Sequence, residues 1–90
     1  MLVHLPTPLR HYAEKRSSVE VEGRTVAEVM QALITQYPDL KSYIYSDDGK
    51  IRGFVNVYLN DEDIRYLPAR ENAAVKNADT LTIMPSIAGG

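Results

Sequence analysis

The sequence predicts an α+β domain in which one main helix lies across one face of a sheet of four to five strands. Three observations carry that expectation. Val26, Val29, Met30, Leu33, Ile34 and Tyr37 recur at helical spacing and form a single apolar stripe. Residues 18–22 and 51–59 instead alternate polar and apolar side chains, the period of a half-buried strand. Finally, the strand-like runs fall two before the helix and three after it, giving the order β-β-α-β-β-β. A hairpin, a crossing helix and a returning sheet make one helical layer on one layer of strands. At 90 residues the chain supports one domain with one modest core.

Residues 2–5 read as the first strand, with Val3 and Leu5 on one face, ended by Pro6-Thr7-Pro8. Residues 9–13 have room for one helical turn. Val19 and Val21 point inward from the second strand, and Gly23-Arg24 turns the chain. Thr25-Val26-Ala27-Glu28 is a capping box: the Thr25 hydroxyl accepts from the residue-28 N–H, and Glu28 reaches back to the Thr25 N–H. Pro38 disfavours a helical Tyr37 and ends the helix. Leu40, Tyr43 and Ile44 have the spacing of a second short turn, and Ser46-Asp47-Asp48-Gly49-Lys50 is turn chemistry. Residues 51–59 give the strongest strand signal, with Val55, Val57 and Leu59 sharing a face. After a turn at residues 60–63, residues 64–67 read as a shorter strand ended by Pro68. Residues 69–75 can hold a further helical turn. The last strand is Thr80-Leu81-Thr82-Ile83-Met84-Pro85, with Leu81 and Ile83 inward. Pro85 has no N–H for a ladder, so the strand stops there.

The last five residues, Ser86-Ile87-Ala88-Gly89-Gly90, are small, uncharged and unable to pack a core. Domain and tail therefore divide as residues 1–85 and 86–90. Such a tail spans at most ~17 Å at full extension. With Gly at about 7% of residues, a chance terminal pair has a frequency of roughly 0.5%. A frayed end is the plain alternative.

Composition narrows the function. The chain has no cysteine, which removes disulfides, thiol nucleophiles and Cys-based zinc sites and suits a cytoplasmic protein. Net charge is −2 with Lys and Arg scattered, so no nucleic-acid partner is expected. No apolar run approaches a membrane span, and the start is too soon broken by Pro6 for a signal segment. His4 and His11 are the only histidines and lack ligand spacing, so no metal site is expected. Asp47-Asp48-Gly49 and Asn60-Asp61-Glu62-Asp63 lack the calcium-loop pattern and are turns. No nucleophile-elbow motif supports hydrolysis.

The element order with Gly89-Gly90 directly after the last strand resembles the ubiquitin-like β-grasp sulfur carriers of the ThiS/MoaD family, over the whole chain. Phe54-Val55-Asn56-Val57-Tyr58-Leu59-Asn60-Asp61-Glu62-Asp63 and Ala78-Asp79-Thr80-Leu81-Thr82-Ile83-Met84-Pro85-Ser86-Ile87-Ala88-Gly89-Gly90 look most like the cysteine-biosynthesis branch, the CysO-type carriers. The resemblance implies that an E1-like adenylyltransferase activates the Gly90 carboxylate with ATP. A sulfur donor then displaces AMP to leave a C-terminal thiocarboxylate. The acceptor implied for this branch is an aminoacrylate on a PLP-dependent cysteine synthase, with a metal-dependent peptidase as a further partner. The carrier itself binds no cofactor and is a cosubstrate, not an enzyme. Ile87, Ala88 and Gly89 would thread the tail into a partner channel too narrow for extra side chains. Related carriers share this terminus, so molybdopterin, thiamine or tRNA thiolation stay open as destinations. So do a ubiquitin-like protein modifier, which starts from the same acyl-adenylate, and a β-grasp binding module with an inert tail. If the helix covers Val3, Leu5, Val55, Val57, Leu59, Leu81 and Ile83, the opposite sheet face carries Leu2, His4, Phe54, Tyr58, Thr82 and Met84. An open face is usually polar, so His4, Phe54, Tyr58, Thr82 and Met84 are candidates for partner docking.

Overall fold

The structure, a computed structural model, describes residues 1–85. It is the expected β-grasp: a five-stranded mixed sheet in the order β2-β1-β5-β3-β4. The strands are β1 (Leu2–His4), β2 (Ser18–Glu20), β3 (Val55–Leu59), β4 (Glu62–Asp63) and β5 (Thr80–Pro85). The helices are α1 (Thr7–Arg10), α2 (Val26–Gln36) and α3 (Asp39–Ile44). β5 lies in the middle, parallel to β1 and antiparallel to β3. The remaining neighbours, β1–β2 and β3–β4, are antiparallel.

α2 forms where its apolar stripe requires. Val26, Val29, Met30, Leu33 and Ile34 are all buried, and they meet the inward side chains Val3, Leu5, Val19, Val55, Val57, Leu81 and Ile83. Leu59, expected on the same face, is only partly covered. The Glu28 N–H donates to the Thr25 hydroxyl at 3.2 Å. The reciprocal half of the capping box is shifted by one residue, because Glu28 Oε1 accepts from the Arg24 N–H at 3.1 Å. At the other end the Tyr37 N–H still reaches the Leu33 carbonyl at 2.9 Å before Pro38 stops the helix. The two short helices do more than turn the chain: Leu9 of α1 and Leu40 and Ile44 of α3 are fully buried in the same core.

Gly23 brings the β2–α2 connection against the first turn of the helix. A Cβ on it would sit 2.7 Å from the Val29 nitrogen and 2.9 Å from Val29 Cγ2. Glycine is there for close approach, not for an unusual backbone angle.

Two expected strands differ. The run 51–59 does not pair throughout: β3 begins at Val55, and Ile51 makes only an isolated bridge to Tyr45. The Arg52 N–H is committed to the Ile44 carbonyl at 2.8 Å, and the Val55 N–H closes a turn on the Arg52 carbonyl at 3.0 Å. The chain therefore wraps the end of α3 before it enters the sheet. Residues 64–67 are likewise not a strand. β4 is Glu62–Asp63, and Ile64–Tyr66 is a 3₁₀ turn, started by the Asp63 carboxylate accepting from the Arg65 N–H at 2.9 Å. This tight turn drops Ile64 into the core, where it is buried.

Candidate docking face

The strand registers fix the outer sheet face. Ser18 pairs with His4, His4 with Thr82, Thr82 with Tyr58 and Tyr58 with Asp63, so these five side chains form one row across all five strands. Side chains on neighbouring strands in such a row are close enough to act as one surface. A second row sets Met84 opposite Asn56, and a third sets Leu2 between Glu20 and Thr80. Their neighbours along the strands, Val3, Val57 and Ile83, are buried on the helix side.

His4, Tyr58, Thr82 and Met84 are therefore brought together as expected. Met84 is 46% exposed and Leu2 42%, while Tyr58 and Thr82 are half-buried. A shallow depression of about 420 Å³ lies on the β3–β5 part of this face, lined by Asn56, Tyr58, Asn60, Asp61, Thr82, Met84 and Pro85. Phe54 stands apart from the row. It lies in the turn before β3, not in the strand, and packs edge-on against Tyr43 with ring centroids 5.8 Å apart. It is still 45% exposed, and its neighbour Val55 pairs with Pro85, so Phe54 flanks the end of β5. Ile87, Ala88, Gly89 and Gly90 lie outside the described residues.

Sequence reading missed two members of this surface. Arg65 leaves the 3₁₀ turn to bind both oxygens of Asp63, by Nε at 3.2 Å and Nη2 at 2.9 Å, and also donates to Asn56 Oδ1 on β3. These hydrogen bonds hold the Asp63 carboxyl below its ordinary range, and the same pairing raises Arg65. Beside it Tyr66 is 82% exposed, the most open aromatic of the described residues. The readable signal was Asp63 as a side-chain cap for the adjoining turn, which places an Arg and a Tyr at the margin of the face. Among the described residues no group of three His, Asp or Glu is arranged to hold a metal ion, and no helix is long and apolar enough to cross a membrane.

Known proteins resemble the chain in sequence and in fold. The chain is 36% identical to the sulfur carrier protein CysO of Mycobacterium tuberculosis over 90 residues, covering 98% of this chain and 96% of that one. It is 33% identical over 73 residues to small archaeal modifier protein 1 of Haloferax volcanii, covering 80% and 78% of the two chains. Among solved structures, a chain of the Amycolatopsis orientalis BexX/CysO complex superposes with a TM-score of 0.86 at 39% identity, covering 99% of this chain and 98% of that one. The profile of the ThiS family matches residues 3–90. The chain belongs to the ThiS family.

Proposed function

We propose that this chain is a sulfur carrier that works through its C-terminal glycine, and that the sulfur goes into cysteine. In this reading the Gly90 carboxylate attacks the α-phosphate of ATP on an E1-like adenylyltransferase, and pyrophosphate leaves. The acyl-adenylate then loses AMP to a sulfur nucleophile. The resulting thiocarboxylate attacks an activated acceptor held by a second enzyme, such as a PLP-dependent cysteine synthase. A metal-dependent peptidase would be needed where the sulfur product stays joined to the tail and must be cut free. The carrier contributes the electrophile and its delivery; the general base, oxyanion hole and ATP site belong to the partners.

The observation that supports this reading best is the place of β5. It is the central strand, gripped on both sides, and it ends at Pro85 between the exposed Phe54 and Met84. A tail continuing from there starts beside the apolar margin of the outer face. A partner seated on His4, Tyr58, Thr82, Met84 and Phe54 would have Pro85, the last described residue, at its edge. The 36% identity to CysO favours cysteine as the destination.

Intact-protein mass spectrometry tests it. The full chain, incubated with ATP, sulfide and the activating enzyme, should gain the mass of one oxygen-to-sulfur exchange, confined to the C-terminal peptide. No exchange, or equal sulfur delivery after removal of Gly89 and Gly90, refutes it. Similarity to small archaeal modifier protein 1 gives a second reading, conjugation of Gly90 to lysines of other proteins. A ladder of higher-mass conjugates in cells, lost in a Gly90 deletion, would mark that use.

A further inference from the structure

On the helix side of the sheet lies a cleft of about 800 Å³, bounded by α2, by the turn over residues 46–53 and by the segment 63–71. Its floor is apolar, made by Met30, Ile34, Ile51 and Ile64. Its charge is lopsided. Five of the chain's ten Lys and Arg side chains line it, against two of its twelve acidic ones. The basic residues are Lys41, Lys50, Arg52, Arg65 and Arg70; the acids are Asp63 and Glu71. Asp63 is already neutralised by Arg65 at 2.9 Å, which is the one ion pair among the described residues. Asp48, in the adjoining turn, is turned onto its own loop by the Ser46 hydroxyl and the Lys50 N–H. Arg52 is pinned to the wall, its Nε donating to the Ser42 carbonyl at 3.0 Å. Lys41, Lys50 and Arg70 remain around the opening, with Glu71 the one other acid of the lining.

A chain of net charge −2 thus carries a positive cleft on an otherwise acidic surface. Concave sites with low-dielectric walls concentrate such a field. The shape is also directional. β4 pairs with β3 only at Tyr58 and Leu59, so Val55 to Val57 have no strand beside them on that side, and Val55 and Val57 contribute to one wall. A wall of this kind favours an extended occupant. None of His4, Tyr58, Thr82 or Met84 lines this cleft, which meets the docking face only along its margin, at Asp63 and Arg65.

We propose that the cleft binds an extended, acidic segment of a partner protein, with apolar side chains on the floor and carboxylates at Lys41, Lys50 and Arg70. The carrier then has two usable faces, and one enzyme can hold it by the cleft while another takes the sheet face and the tail. The proposal does not depend on sulfur chemistry at Gly90.

The probe is a capped peptide, Asp-Glu-Val-Glu-Ile-Asp-Val-Glu, titrated into the ¹⁵N-labelled full chain. Amide shifts are expected at Ala27, Gln31, Lys50 to Gly53 and Arg70, with none at Leu2, His4, Thr82 or Met84. Raising sodium chloride from about 0.02 M to about 0.3 M should weaken binding severalfold. The exposed pair Lys50→Glu and Arg70→Glu should weaken it about tenfold, with the rest of the spectrum unchanged as proof of folding. The proposal is overturned if a tenfold excess of peptide moves no cleft amide, or if the shifts map to the sheet face. It is equally overturned if the same peptide with Lys for every Asp and Glu, or an oligo-dT strand, binds as well.

Discussion

Replacing Gly23 by Ala is the sharpest test of how the helix is seated. The added Cβ would meet the Val29 nitrogen at 2.7 Å, Val29 Cγ2 at 2.9 Å and the Glu28 carbonyl carbon at 3.0 Å. Two of those three atoms are backbone, so no side-chain rotation relieves the overlap. Either the β2–α2 connection or the first turn of α2 must move. That turn holds the Thr25 cap and the buried Val26 and Val29. Overpacking of this kind costs about 1–3 kcal/mol. Gly→Ala also stiffens the unfolded chain, which returns about 0.4–1 kcal/mol. From the centres of those ranges the balance is a loss of about 1.3 kcal/mol, or a melting midpoint lower by roughly 5–10 °C for a domain of this size. Thermal and urea unfolding followed by circular dichroism read it directly. A variant as stable as the parent, or more stable, would show that the approach of Gly23 to Val29 does not constrain the helix.

Three further outcomes are expected. Gly90→Ala should slow adenylation by roughly 10²-fold through misplacement of the reacting carboxylate, with the unfolding midpoint unchanged. Steady-state pyrophosphate release measures it, and an unimpaired variant contradicts the narrow-channel argument. Tyr58→Ala, between Thr82 and Asp63 in the outer row, should weaken binding to the activating enzyme about tenfold in a calorimetric titration while the fold persists; equal affinity removes the row as a docking site. Stability should fall on acidification. Asp63, Asp48 and Asp79 are held below the ordinary value of 3.8 by hydrogen bonds from Arg65, from Ser46 and from the Lys76 N–H respectively. Their protons are therefore bound more tightly in the unfolded chain, so their contribution is complete above about pH 5 and is lost as pH drops through 3.8 toward the lower folded values. Urea midpoints across that window should decline, and Arg65→Met should make the decline shallower. An unaltered slope would mean that Arg65 does not set the Asp63 proton affinity.

The sequence made legible whatever one element decides by itself. The stripe that begins at Val26 is buried by one helix, with Tyr37 just past its end, and the alternation that buries Val19 and Val21 marks β2, which pairs only as far as Glu20. Leu81 and Ile83 fix the face of β5, and the alternation of Thr82 and Met84 puts them on the other. The misread pieces depend on distant partners. Alternation continues through Ile51 and Gly53, but the Arg52 N–H is claimed by the Ile44 carbonyl, which bends the chain out of the sheet before Val55. Ile64 and Leu67 are three residues apart, a spacing that suits a tight turn as well as a short strand, and the Asp63 cap decides between them. Parity groups Phe54 with Tyr58, and parity lapses once the turn intervenes. The basic cleft could not be read at all, because Lys41, Lys50 and Arg70 look scattered until α3, a turn and the segment after β4 fold around one opening.

The parallel pairing of β1 with β5 has a mechanical corollary. Tension applied beyond Pro85 runs lengthwise down β5, which is flanked by β1 and β3. Rungs on both sides are loaded together in shear and cannot be unzipped singly. A pull on the end of the chain is therefore borne by two strand pairings at once and does not peel the domain apart strand by strand.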